Sequence, residues 1–332
     1  MNNFFNLTNE QQITLIKQTA DKISLPLQAI EKDLWVTSIL QIVFLLPLAD
    51  KLVFKGGTSL GKIWCLIERF SEDIDLAIDR KQFDLEGDLT IKQIKKLRKQ
   101  ASIFVKNDFY NALQNAVNKY SIKNLCTIIP EQDGEGYKTY PEPRKIFVQY
   151  KSLFDNLDYL PSEIVLEIGA RSLIEPTATG NVKSFIAAHF DFDTSFVNTP
   201  IITAVPEKTF LEKAFLLHEI FTGNGDKSAD RKSRHLYDLE KMMDKDFAKS
   251  AISGNELWQA IHHHREVFTR VNGVDYTQDI RKNIVLIPPP QVLDDWKQDY
   301  KKMQSTMIYG TSLTFDELLT RMEALQKRFR NV

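Results

Sequence analysis

Two runs decide the fold: Leu52-Val53-Phe54-Lys55-Gly56-Gly57-Thr58-Ser59-Leu60 and Arg69-Phe70-Ser71-Glu72-Asp73-Ile74-Asp75-Leu76. Leu52-Val53-Phe54 is short, apolar and partly branched, which predicts a buried strand. The Gly56-Gly57 pair ends it. Thr58 or Ser59 can then cap a helix, expected to run to about Phe70. A second strand is expected from Ile74 to Ile78. Side chains alternate along a strand, so Asp73 and Asp75 share one face while Ile74 and Leu76 point into a core.

Two carboxylates side by side repel, and a site tolerates that poorly without a cation. Magnesium, or manganese in its place, suits such a pair, because it binds through one or two carboxylates plus substrate phosphates. The preceding Gly-Gly turn lets backbone approach a phosphate closely. The helix that follows offers free N–H groups, and Thr58 or Ser59 adds a hydroxyl. A lone Asp-x-Asp usually means a solvated strand, and a lone Gly-Gly a turn. The ordered combination is far more specific.

Working outward, Thr8 with Gln11 forms a capping box for a first helix to about Ile23. A second helix is expected after Ser24, with Pro26 in its first turn. It runs through Glu31-Lys32-Asp33-Leu34-Trp35 to a stop at Pro47. Downstream, Leu89 to about Tyr120 reads as helix, with room for a break. Strands are expected near 123–129, 145–151 and 163–168, with a Gly- and Pro-bearing loop from Gln132 to Pro143. Beyond residue 205 the pattern turns helical: Lys208–Phe221, Ala229–Met243, Asn255–Val271, Pro290–Met307 and Thr314–Arg330. The expectation is an α+β protein, a mixed sheet flanked by helices over residues 1–204 followed by a helical C-terminal domain over 205–332.

The 332 residues are 43% hydrophobic and 26% charged, a soluble globular mix. No apolar run is long enough for a membrane span, and the N-terminus lacks a secretory pattern. The cytoplasm is the expected location. Two cysteines, Cys65 and Cys126, build neither a disulfide framework nor a zinc site; both are expected as small buried residues. The net charge of −1 leaves nucleic-acid binding to local patches.

Gly56-Gly57-Thr58-Ser59-Leu60 with Arg69-x-Ser71-x-Asp73-Ile74-Asp75-Leu76 resembles the first motif of the AbiEii/AbiGii-type toxins. These are nucleotidyltransferase-like proteins of type IV toxin–antitoxin and phage-defence systems, in the DNA polymerase β superfamily. Glu31-Lys32-Asp33-Leu34-Trp35 is also similar to what such proteins carry. The resemblance covers about residues 25–245. It implies a polymerase β-like core that takes an NTP and a divalent cation, with the nucleotide on Gly56, Gly57, Thr58, Ser59, Arg69 and Ser71. It further implies transfer onto an acceptor hydroxyl, at the 3′ end of a tRNA, and an antitoxin encoded nearby. Transfer to a protein acceptor, or a non-catalytic nucleotide- or RNA-binding regulator, remains an alternative.

The superfamily places a third carboxylate on a later strand. In Glu163-Ile164-Val165-Leu166-Glu167-Ile168-Gly169, Glu167 faces away from its apolar neighbours, and Glu163 competes with it. Glu stands where many relatives have Asp. The family also carries a helical Lys and an Arg-Asp-x-x-Asp-Leu-like segment. Glu207-Lys208-Thr209-Phe210-Leu211-Glu212-Lys213-Ala214 and Arg234-His235-Leu236-Tyr237-Asp238-Leu239 are their counterparts here. The resemblance implies that Lys213, with Lys208 as the alternative, contacts the triphosphate, and that Asp238 completes the site. His235 replaces the usual acid.

His262-His263-His264 looks metal-binding, yet successive helical residues point apart, which favours a solvated surface. Two basic clusters are able to hold an RNA backbone: Lys92, Lys95, Lys96, Arg98 and Lys99, and Lys227, Arg231, Lys232 and Arg234. For the first, a solvated face is the plainer reading.

Overall fold

The structure is a computed structural model that describes residues 4–155, 160–190 and 199–332. The chain divides into two compact units. The first comprises Met1–Ile63 and Phe70–Ala204, and the second Trp64–Arg69 and Val205–Val332.

The first unit is built on a seven-stranded mixed sheet, with helices packed on it. Its strands are β1 (Leu52–Lys55), β2 (Ile74–Ile78), β3 (Cys126–Pro130), β4 (Arg144–Tyr150), β5 (Glu163–Gly169), β6 (Thr177–Gly180) and β7 (Ile201–Ala204). Their order is β3-β4-β5-β2-β1-β7-β6. The pairs β2–β5 and β1–β7 are parallel and the others antiparallel. Its helices are α1 (Asn9–Ile23), α2 (Leu27–Val43), α3 (Gly56–Lys62), α4 (Ile91–Phe104), α5 (Tyr110–Val117) and α6 (Phe185–His189). Thr8 and Gln11 form the expected capping box on α1. A π-helical turn, Val105–Phe109, joins α4 to α5, so the expected long helix continues through its break.

One face of the central sheet is apolar. Phe54, Ile74, Leu76, Leu166, Ile168 and Ile146 are all essentially buried. α2 lies in this core, against α1, α5, α6 and β5. Helix α2 is buried nearly all round, which is why it shows no amphipathic period. It nevertheless buries Glu31, Lys32 and Asp33 in succession, and buried charges must be paired. Glu31 accepts from Ser152 Oγ (2.6 Å) and the Leu153 N–H (2.8 Å). Lys32 pairs with buried Glu72. Asp33 pairs with Lys62 (2.5 Å) and accepts from the Phe185 N–H (2.7 Å). Burial raises the carboxyl pKa of Glu31 and of Asp33, against the pull of these donors. The Lys32 and Asp33 pairs tie α2 to Glu72, just before β2, and to the last residue of α3.

Several expectations are corrected. Helix α3 begins at Gly56 rather than at a Thr58 or Ser59 cap; its N-cap, Lys55, makes no side-chain cap, and both hydroxyls are buried inside the helix. It ends at Lys62, not near Phe70. The segment after it keeps helical spacing, but tertiary pairing in the second unit overrides that: Arg69 bridges to Ile308, and the Tyr309 N–H donates to the Glu68 carbonyl (3.0 Å). Cys65 sits in this segment at φ 51° and is exposed, not buried. Cys126 is half-buried, its thiol pushed up to about 11 by burial. Strands β6 and β7, four residues each, carry too short an alternation to be read in sequence.

The second unit is helical: α7 (Pro206–Thr222), α8 (Arg234–Met242), α9 (Asp246–Ser253), α10 (Glu256–Phe268), α11 (Ile280–Asn283), α12 (Leu293–Thr306) and α13 (Phe315–Arg330). Helix α8 starts five residues later than the Ala229 expected, because Arg231 adopts φ 57°. Asp299 of α12 instead accepts the N–H groups of Arg231 (2.8 Å) and Ser233 (3.0 Å). Trp258, Phe215 and Phe329 pack ring on ring in its core. Among the described residues no helix is long and apolar enough to cross a membrane.

Candidate active site

On the face of the sheet opposite α2, one row of charged residues crosses four adjacent strands. Lys145 of β4 lies opposite Glu167 of β5, Glu167 lies beside Asp75 of β2, and Asp75 lies opposite Lys55 of β1. All four are half-buried. Asp73 precedes β2 by one residue and is also half-buried. In register, Glu167 is the β5 residue level with Asp75. Glu163 lies four residues back along β5, where Gln149 Nε2 donates to its carboxylate (2.9 Å). Further along the face the row gives way to a small apolar cluster of Val53, Ala77 and Ala204.

The Gly56 turn is shaped around Asp75. Gly56 has φ +78°, and a Cβ built there would stand 2.1 Å from Asp75 Oδ2. Only glycine suits that conformation and that space. Thr58 Oγ1 donates to the Asp73 carbonyl (2.5 Å) and shares a hydrogen bond with Ser71 Oγ (2.8 Å). Ser59 Oγ bonds Thr203 Oγ1 of β7 (2.6 Å). The hydroxyls of the Gly-Gly-Thr-Ser run therefore fix the backbone around Asp73 and β7. Lys145 Nζ stands 2.9 Å from Glu167 Oε1. That bond, with the charges of Glu167, Asp73 and Glu131, raises the Lys145 pKa although partial burial opposes it.

The donor set fits a hard divalent cation, being all carboxylate oxygen. Among the described residues, no three carboxylate, imidazole or thiol side chains are gathered into a ready cage. The His262–His264 run forms none either: His262 Nε2 bonds the Tyr276 carbonyl (3.0 Å), and His264 stacks on Phe268.

In the second unit, Asp238 is wholly buried at the centre of a charge cluster. Arg69 grips it with two bonds, Nε to Oδ1 (2.7 Å) and a terminal guanidinium nitrogen to Oδ2 (2.8 Å). Lys213 Nζ is 2.9 Å from Oδ2. Burial alone would raise the Asp238 pKa, but Arg69 and Lys213 hold it far below the ordinary carboxylate range. Burial lowers the Lys213 pKa, Asp238 opposing and Arg69 adding to the effect. Lys213 also lies 3.3 Å from His235 Nδ1. Burial and the nearby Lys213 and Arg234 cations push the His235 pKa well down. The histidine in place of an acid thus finds a partner in Lys213. Lys208 is buried too, 3.9 Å from Glu212. Sequence reasoning placed Arg69 with the nucleotide; the structure buries its guanidinium on Asp238, a partner 169 positions away that no local pattern reveals.

The basic clusters part company. Lys227 and Lys232 donate to the Gly223 and Ser228 carbonyls of their own loop. On α4, Lys92, Lys95 and Lys96 are exposed, and none pairs with a carboxylate among the described residues. Arg98 donates to the Tyr140 carbonyl (2.6 Å), and the Lys99 ammonium stands 5.4 Å from the centre of the Tyr140 ring.

No curated protein sequence matches the chain. Among solved structures, the fold is similar to MenT4, a nucleotidyltransferase toxin from Mycobacterium tuberculosis H37Rv, at 15% identity and a TM-score of 0.54. That match covers 97% of this chain and 88% of MenT4. The profile of the family described as "Nucleotidyl transferase AbiEii toxin, Type IV TA system" matches residues 38–321, most of the chain. The chain therefore belongs to the AbiEii family of nucleotidyltransferase toxins of type IV toxin–antitoxin systems.

Proposed function

We propose that the protein transfers a nucleotide from an NTP to a hydroxyl at the 3′ end of a tRNA, with Asp73, Asp75 and Glu167 holding magnesium or manganese. The observation that carries this reading is the register of Asp75 beside Glu167, behind a glycine turn with room for nothing larger. Bound there, a divalent cation supplies charge neutralisation at the phosphates and acidifies the attacking hydroxyl. The acceptor hydroxyl oxygen attacks the α-phosphorus and its proton passes to solvent, a phosphodiester bond forms, and the bond to pyrophosphate breaks. Gly56, Gly57, Thr58, Ser59 and Ser71 support the nucleotide. We also assign Lys213 and Asp238 to the transfer, Lys213 as the cation for phosphate charge and Asp238 as the group that orients it. Arg69 acts through Asp238.

An RNA acceptor suits the charge of α4. Between Ile91 and Phe104 that helix has five basic residues and no acid. Lys92, Lys95, Lys96 and Lys99 recur at helical neighbour spacings, where like charges repel. Lys92 sits in the first turn, at the positive end of the helix dipole, where a cation is disfavoured. A phosphate backbone relieves both costs. By its family the toxin is expected to have a cognate antitoxin as partner.

The test is label transfer from each of four α-32P NTPs, with magnesium, into total tRNA, by wild type and Asp73→Ala. Label on tRNA with wild type alone supports the reading and reveals the preferred base. Label on a protein band instead replaces the tRNA acceptor with a protein. Label that persists in Asp73→Ala overturns the assignment of the carboxylates.

A further inference from the structure

The charged row on the sheet is +, −, −, + in the order Lys145, Glu167, Asp75, Lys55. The two basic ends differ. Lys145 Nζ is 2.9 Å from Glu167 Oε1, while Lys55 forms no ion pair among the described residues. Glu167 is thus already engaged by a cation of the chain itself. That engagement offsets the charge of Glu167 in a row where it lies beside Asp75.

The Lys145 and Glu167 side chains are 41% and 30% exposed. A pair this wet is screened by water and held weakly. A doubly charged ion with several oxygen ligands has the advantage over one ammonium at the same carboxylate. Lys145 also springs from a strand, so its long side chain can leave without disturbing the β4–β5 ladder.

We propose that Lys145 is a competitor built into the cation site: it holds Glu167 in the metal-free protein and gives it up when the divalent cation binds. Lys145 is a positioning residue, acting through Glu167. It sets how tightly the toxin binds metal before nucleotide arrives, and keeps two adjacent carboxylates tolerable in the metal-free state. The inference rests on the reading of Asp75 and Glu167 as cation ligands.

The experiment is titration of Mn2+ alone, without nucleotide, into the full-length protein, with free Mn2+ followed by its electron paramagnetic resonance signal. Wild type, Lys145→Met, Lys145→Arg, Lys55→Met and Asp75→Asn are compared, each checked for an unchanged thermal unfolding profile. Lys145→Met is expected to tighten Mn2+ binding about three- to fivefold, the worth of an exposed ion pair. Lys145→Arg should stay within a factor of two of wild type. Lys55→Met, which removes an equal charge from the same row, should change affinity less than Lys145→Met does. Equal tightening in the two methionine variants would reduce the effect to bulk charge and overturn the proposal. Unchanged or weaker binding in Lys145→Met overturns it as well, as does a lack of Mn2+ binding by both wild type and that variant. Asp75→Asn separates the two layers. If it abolishes binding while Lys145→Met does nothing, only the competitor role fails; if Mn2+ binds equally well without Asp75, the cation site itself is wrong.

Discussion

Asp75 and Gly56 fit one another atom against atom: the Asp75 carboxylate occupies the space where a side chain at position 56 would begin. Gly56→Ala would meet Asp75 Oδ2 at 2.1 Å and also force alanine into φ +78°. The left-handed conformation costs about 1–2 kcal/mol, which a folded domain survives. The displaced carboxylate is the larger loss, since a 1 Å misplacement at a reacting centre can cost about a hundredfold in rate. Nucleotide transfer by Gly56→Ala should fall by about that factor while the protein stays folded by circular dichroism. Transfer within a fewfold of wild type would dissociate the turn from the chemistry.

Lys213 and Asp238 should separate function from stability. Arg69 and Lys213 are two basic groups on one buried carboxylate, Asp238. Lys213→Met leaves the neutral Arg69–Asp238 pair, so stability should change by no more than about 1 kcal/mol, while transfer is lost. Asp238→Asn removes the carboxylate that both buried cations share and should cost about 3–5 kcal/mol. Urea unfolding of both variants, beside the transfer assay, checks this. A Lys213→Met protein that unfolds as readily as Asp238→Asn would make Lys213 structural.

The pair Lys32–Glu72 should behave as a buried unit. Lys32→Met removes the ammonium paired with Glu72, which is 5% exposed, and should destabilise by about 3–5 kcal/mol. The double variant Lys32→Met/Glu72→Met removes both charges and should recover most of that loss. A double-mutant cycle by chemical denaturation reads the coupling; additive effects would mean that the two side chains act separately.

His218 predicts an acid sensitivity with a definite sign. Burial, with Arg330 and His262 adding and Glu219 opposing, lowers its pKa to about 4, and its Nδ1 accepts the Val285 N–H (3.2 Å). Between about pH 6.5 and 4 the unfolded chain takes up this proton and the folded one does not, so stability falls as pH falls. The loss attributable to His218 is on the order of 3 kcal/mol over that window. His218→Asn keeps an acceptor without the titration. Its unfolding free energy should fall less steeply between pH 7 and 4.5, and parallel pH profiles would remove His218 from the account.

The strand–turn–strand of the first motif was legible because its signals are local: a branched apolar triplet, a Gly-Gly break, and an Asp-Ile-Asp alternation that puts Ile74 and Leu76 in the core. The long helices α7, α10, α12 and α13 were legible for the same reason, through their apolar period, while the short α9 and α11 were not. What stayed hidden depends on distant partners. Nothing near Arg69 announces Asp238, and nothing near Glu167 announces Lys145, which reaches it only because β4 and β5 lie side by side. Helical spacing after Lys62 pointed to a longer α3, yet the chain turns away there. The buried Glu31-Lys32-Asp33 run was visible as a motif, but its meaning lies in three separate partners on Ser152, Glu72 and Lys62.

The excursion of Trp64–Arg69 has a practical consequence for anyone cutting or recombining this toxin. The polypeptide passes between its two compact units three times rather than once, at Ile63/Trp64, Arg69/Phe70 and Ala204/Val205. A fragment ending at Ala204 would carry away a splinter of the other unit, with an arginine evolved for a carboxylate it no longer has. A chimera joined at that boundary would mate Arg69 from one parent with the Asp238 position of another. Either manipulation tests the splinter as much as the unit it was meant to isolate.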